Sequence, residues 1–216
     1  ACDTKDDLVH CAEWTMDGLM NGVGVGFSTS WRGTATTPDK SDSETIVIPD
    51  SREGWVTSLI SLLCAYIDSP RYGKNKFPIF DYSAIRAKGL PIRGFGGQSS
   101  GSEPLQKMHV RIEGYLDAFC AGELVVPATE ATEWAKATEE VRKPYTHTRL
   151  VADIFNSIGA CVVAGNVRRS AEICLGDVHD KDFIDLKNYT ENPERMEIGW
   201  MSNNSVALKP DDGFED

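Results

Sequence analysis

The segment Ala164-Gly165-Asn166-Val167-Arg168-Arg169-Ser170-Ala171-Glu172-Ile173 decides how this chain is read. It follows a strongly apolar helical run and is expected to precede a second short helix. Two adjacent arginines thus sit at a glycine-opened bend between elements rigid enough to aim them. Arginine presents a planar fork of donors that matches phosphates and base edges. The segment alone reads equally well as a phosphate or nucleotide loop and as a solvated turn whose arginines cap a helix C-terminus.

Working outward, the preceding helix is expected from about Thr148. Leu150, Val151, Ile154, Phe155, Ile158 and Val162 line one side of it, and it stops at Gly165. A first helix runs from about Lys5 to Asn21 and is ended by the glycines at 22, 24 and 26, after which Val23, Val25 and Phe27 alternate as a short strand into Ser28. Residues 31–43 are polar and read as a loop. Ile46-Val47-Ile48 is a strand stopped by Pro49, and Asp50 reads as the N-cap of a helix carrying Trp55 to Tyr66, with Glu53 completing a capping box. Phe77 to Asp81 reads as a strand. The glycines between Arg86 and Gly101 exclude a helix there and give a long ordered loop. Ser102 is expected to cap the helix that follows, with Pro104 in its first turn and Met108, Ile112, Tyr115, Leu116 and Phe119 on its buried face. Residues 131–141 are helix-prone, 182–187 form a short helix, and 200–208 a strand.

Composition bounds the answer. The chain has 216 residues, 41% hydrophobic and 25% charged, enough for one soluble domain with a sizeable core. It holds no apolar run long enough to cross a membrane. The formal net charge of −11 argues against nonspecific binding to a nucleic-acid backbone. The chain starts Ala1-Cys2-Asp3 without Met, as expected of a partial chain, and that stretch has no signal-peptide pattern. Six cysteines (Cys2, Cys11, Cys64, Cys120, Cys161, Cys174) include no C-x-x-C pair, and their spacing fits neither a zinc site nor a small disulfide scaffold. Cys64, Cys120 and Cys161 read as buried reduced thiols, and a reducing cytoplasm is the expected compartment. His10, His109, His147 and His179 lack ligand spacing, so no metal is assigned. A dinucleotide fold is excluded by order, because it needs strand, glycines, then helix, and here the helix comes first.

Six segments in order carry a more specific message: 21–28 (NGVGVGFS), 50–56 (DSREGWV), 81–86 (DYSAIR), 94–101 (GFGGQSSG), 164–173 and 200–206 (WMSNNSV). Together they resemble the adenosylcobalamin-dependent, monomeric class II ribonucleoside-triphosphate reductases over nearly the whole chain. The resemblance implies an α/β fold, part of the ten-stranded barrel of ribonucleotide reductases, with an inserted helical effector-site segment. Residues 1–216 would be a portion of that barrel, with 29–50 as the insertion, 86–101 similar to loop 1 and 164–172 similar to loop 2. It further implies reduction of ribonucleotides by an adenosylcobalamin-initiated thiyl radical, on a ribonucleoside triphosphate substrate. The partners would be a deoxynucleoside triphosphate effector and a thioredoxin-type reductant, with no nucleic acid and no membrane.

By the same resemblance Gly24 and Arg168 face substrate. Arg86 contacts effector phosphate, and Asp50, Arg52, Asn166 and Arg169 are further effector contacts. No catalytic residue is assigned. The family's radical cysteine follows Asn-Pro, whereas Asn192-Pro193 is followed by Glu194, and neither Cys2 nor Cys11 has the family's Asn-Cys context. The expectation is a portion of the enzyme, inactive alone, with cobalamin bound mainly by parts not present here. The alternative is a free-standing, non-catalytic nucleotide-binding or regulatory module. A reading frame continuing into Asn-Pro-Cys would favour the first.

Overall fold

The computed structural model describes residues 2–92, 97–126, 141–164 and 170–206. Helices α1 (Leu8–Met20), α2 (Arg52–Tyr66), α3 (Glu103–Ala121) and α4 (His147–Val163) build the body, with a short α5 (Lys181–Asp185) behind it. Strands β1 (Val25–Ser28), β6 (Glu172–Gly176) and β7 (Ser202–Val206) form a parallel sheet in the order β1-β6-β7. Strands β2 (Ser43–Val47) and β3 (Phe77–Asp81) form a parallel pair, and β4 (Glu123–Val126) and β5 (Val141–Pro144) an antiparallel one.

Local chemistry explains the element ends. Asp7 caps α1 by accepting from the His10 amide, and Thr146 caps α4 by accepting from the Arg149 amide. At the other end of α1, Gly22 takes a φ of 80°, which lets its amide reach the Leu19 carbonyl and that of Val23 reach the Gly18 carbonyl. The first glycine of the Gly-rich stretch is thus a helix terminator. Two expected caps differ. Ser51, not Asp50, caps α2 by accepting from the Gly54 amide, because Asp50 is engaged by Arg86. Ser102 precedes α3 but makes no side-chain cap bond; its hydroxyl accepts from Gln106 instead.

The core lies between the helices and the inner face of the sheet. Strands alternate faces, so Val25, Phe27, Glu172, Cys174 and Ser202 point inward together. Phe27 stacks on Phe155 of α4 with ring centroids 4.3 Å apart. A Cβ on Gly159 would stand 2.6 Å from the Glu172 carboxylate, so glycine there lets α4 lie close against β6. The segment 164–173 runs not into a helix but into β6, which begins at Glu172 in register with β1 (Val25 opposite Glu172) and β7 (Glu172 opposite Ser202). Pairing on both sides overrides the weak local helix signal, and the β-branched Ile173 suits a strand.

Other boundaries moved. Of the 200–208 strand, 202–206 pairs, whereas Trp200 and Met201 precede it. The helix-prone stretch 131–141 lies outside the described residues except for Val141, which opens β5. The structure also closes a disulfide between Cys2 and Cys11, which the spacing had not paired, with Cα atoms 5.8 Å apart. It ties the segment before α1, itself bridged to Phe27 of β1, onto the helix. Cys64, Cys120, Cys161 and Cys174 are free, and Cys120 is only half-buried. Among the described residues, no helix is long and apolar enough to cross a membrane.

A polar cluster runs through the apolar core. Asp153 of α4 is buried and receives Arg149 Nε at 2.9 Å, Arg195 Nε at 2.6 Å and the Tyr145 hydroxyl at 2.7 Å. Arg195, buried as well, also donates to Asn156 Oδ1 and to the Leu186 carbonyl. Asn156 in turn donates to Glu172 and Ser202, which joins α4 to two strands. Burial alone would raise the Asp153 carboxyl; the two guanidiniums outweigh it and hold the group below the usual carboxylate range.

Candidate functional site

Four segments of the chain meet at one cavity of about 270 Å³. Its walls are the end of α1 (Met20, Asn21), the start of α2 (Asp50, Ser51, Arg52, Trp55), the loop after β3 (Arg86, Ile92, Gln98, Ser99, Ser100) and the last turns of α4 (Cys161, Val162). Each wall has a local cause. The cap at Ser51 starts α2 at the cavity rim, so Asp50 and Arg52 flank its first turn. The loop is closed by a bridge between Pro91 and Gln98 and by hydrogen bonds between Gly89 and Ser99 and between Ser99 and Leu90.

The charged groups are already paired. Arg86 donates through Nε to Asp50 at 2.6 Å and through Nη1 to the Pro91 carbonyl at 3.0 Å. Arg52 lies 3.2 Å from Asp17 and 2.8 Å from Glu53, and donates to Asn21 Oδ1 at 2.7 Å. The Arg86–Asp50 pair is about a third exposed on each side (31% and 32%). A pair that wet is worth at most about 1 kcal/mol, so an incoming anion can share or displace it at little cost. Part of the remaining lining (Trp55, Met20, Ile92, Val162) is apolar and suits the flat face of a base. The site thus offers what a nucleotide needs: two guanidiniums for phosphate, a carboxylate acceptor for ribose hydroxyls and apolar side chains for a ring.

The structure therefore brings together Asp50, Arg52 and Arg86 of the residues singled out from sequence. Gly24 stands apart, exposed beside β1, and a Cβ there would come no nearer than 3.8 Å to the Ala171 carbonyl. Asn166, Arg168 and Arg169 lie outside the described residues, as do Arg93, Gly94 and Gly96. Sequence reasoning missed Asn21, Gln98 and Ser99 as lining residues. Asn21 was read only as a helix end, which it also is, and nothing in its spacing links it to Arg52.

A family model described as the B12-dependent ribonucleotide reductase insertion domain matches residues 24–116, which hold Asp50, Arg52 and Arg86. The probable adenosylcobalamin-dependent ribonucleoside-triphosphate reductase of Dictyostelium discoideum is 41% identical over 209 residues, 88% of this chain and 24% of that protein. The chain is thus similar to the B12-dependent ribonucleotide reductases. The adenosylcobalamin-dependent ribonucleoside-triphosphate reductase of Euglena gracilis is likewise 41% identical, over 95% of this chain and 25% of its own length. A crystal structure of a B12-dependent, class II ribonucleotide reductase superposes with a TM-score of 0.67 at 27% identity, covering 93% of this chain and 29% of that one. The chain thus spans about a quarter of the length of the curated reductases it matches.

Proposed function

We propose that this chain is the nucleotide-sensing portion of an enzyme that reduces ribonucleoside triphosphates to deoxyribonucleotides by an adenosylcobalamin-initiated thiyl-radical reaction. The observation that carries the reading is the convergence of Asp50, Arg52 and Arg86 on one cavity. In it a deoxynucleoside triphosphate effector places its phosphates on Arg86, with Arg52 and Asp50 as further contacts. In this reading Asn166 and Arg169 serve the effector, Arg168 and Gly24 serve the substrate, and the loop 2-like segment 164–172 is the element both ligands bias. Two ligands that bias one element are coupled in the strict thermodynamic sense.

The sheet supports membership of a larger barrel. Parallel sheets are normally covered on both faces, yet Ile173 on the side away from α4 is 45% exposed. A ten-stranded closure would cover that face and the open strand edges. In this reading the cofactor belongs to parts of the enzyme outside these residues. The substrate and a thioredoxin-type reductant are assigned to the whole enzyme on the same footing.

The test is calorimetric titration of the chain with each deoxynucleoside triphosphate. Saturable binding is expected, and Arg86→Ala should weaken it at least tenfold, since a charge-assisted contact to phosphate is worth about 1.5–3 kcal/mol. Equal affinity of wild type and variant would remove Arg86 from the site. A folded chain that binds none of the nucleotides would refute an effector site assembled within these residues.

A further inference from the structure

His109 lies on α3, away from the cavity lining, and is 3% exposed. Its ring stacks on Phe80 of β3 at 4.2 Å between centroids. Nε2 stands 3.1 Å from Ser58 Oγ on α2, and Nδ1 stands 2.8 Å from the Tyr82 hydroxyl just after β3. One residue thus holds three elements together.

One set of proton positions satisfies every bond. In it the single hydrogen of the Ser58 hydroxyl goes to the Trp55 carbonyl at 2.7 Å. That oxygen then accepts from His109, whose Nε2 carries the ring proton. Nδ1 is then a lone pair and accepts from the Tyr82 hydroxyl. Burial keeps both ends neutral, pushing the imidazole down to about 3 and the Tyr82 phenol up to about 12. A single directed chain results: Tyr82 to His109 to Ser58 to the Trp55 carbonyl.

The two ends of that chain belong to different walls of the cavity. Trp55 lines it directly, one turn from Arg52. Tyr82 leads into the loop that supplies Arg86, Ile92, Gln98 and Ser99. We propose that His109, held as the Nε2–H tautomer, is a positioning residue that sets the separation of the α2 wall and the loop wall and thereby the nucleotide affinity of the cavity. The affinity clause rests on the nucleotide reading above; the clamp itself does not.

The test uses the full chain, the milder variant Tyr82→Phe and the near-isosteric His109→Phe. Long-range nitrogen–proton correlation spectra should show His109 protonated on Nε2 alone; a proton on Nδ1, or a charged ring, overturns the proposal. Amide shift maps of Tyr82→Phe should change at both 50–55 and 82–92 and leave β1, β6 and β7 unmoved; changes confined to α3 overturn it. With dATP or whichever deoxynucleoside triphosphate binds wild type best, Tyr82→Phe should bind roughly tenfold more weakly, on the scale of one lost buried hydrogen bond. His109→Phe, if folded, should bind more weakly still. Wild type that binds alongside an equally tight Tyr82→Phe refutes the clamp and spares the nucleotide reading. Wild type that binds no nucleotide, while both walls shift in the variants, refutes the nucleotide reading and supports the clamp.

Discussion

Asp153→Ala is expected to destabilise the protein by about 3–5 kcal/mol, the loss seen when one partner of a buried ion pair is removed. The carboxylate is 1% exposed and serves two arginines and a tyrosine. Without it, Arg195, itself 2% exposed, keeps among the described residues the neutral acceptors Asn156 Oδ1 and the Leu186 carbonyl. Arg149 retains Glu194 at 2.5 Å and Asn192 at 2.9 Å, so the damage centres on Arg195. The matched control is Asp153→Leu with Arg195→Met. It removes both charges, and replacement of a buried pair by apolar side chains is often neutral. Urea unfolding reads both: the single variant should lower the midpoint far more than the double at an unchanged slope. A loss below about 1 kcal/mol in the single variant would mean that water reaches the cluster. Acid tests the same group. The folded carboxyl titrates below its unfolded value, so its contribution is present above the unfolded pKa, near 3.9, and disappears as pH falls through the lower folded one.

Glu172→Gln is expected to do the opposite and stabilise the protein, in a manner that depends on pH. Burial raises the Glu172 carboxyl to about 8, against a weaker opposing hydrogen bond from Asn156. Its Oε1 makes no hydrogen bond among the described residues. The folded chain therefore keeps a proton that the unfolded chain releases near pH 4.5. Between those values the unfolded state binds fewer protons, and stability falls as pH rises, by up to about 1.4 kcal/mol per pH unit. The penalty begins above the unfolded pKa and is complete above the folded one. Glutamine has no proton to lose. The variant and wild type should match near pH 4.5 after allowance for a constant offset, then diverge to a gain on the order of 4 kcal/mol by pH 8. Urea midpoints at half-unit steps across that range measure it. Parallel curves would mean that Glu172 is ionised and solvated in the folded chain. Because Glu172 opens β6 directly after the segment with the two arginines, nucleotide binding by the variant is worth following over the same range.

The helices were legible in the sequence because their causes are local. The 3.6-residue apolar spacing of α1, α3 and α4 and the glycine after α1 are all read within a turn or two of chain, whereas the Asp7 and Thr146 caps emerged only with the structure. The strand at 77–81 was legible for the same reason, being a short apolar run beside a proline. Strand β6 was not, since five residues carry no period and gain their identity from two neighbours remote in sequence. Asp50 shows the same division within the site. Its place before a helix was readable, but whether it caps that helix or meets Arg86, 36 positions on, depended on how α2 and the later loop are packed. Residue types and their order pointed to nucleotide chemistry and to the reductase family. Only the tertiary structure decided that Asp50, Arg52 and Arg86 share a cavity, that Arg149, Asp153 and Arg195 form one buried cluster, that Cys2 meets Cys11, and that His109 joins three elements. These are contacts between surfaces whose mutual position depends on the packing of the whole core, and no local spacing encodes them.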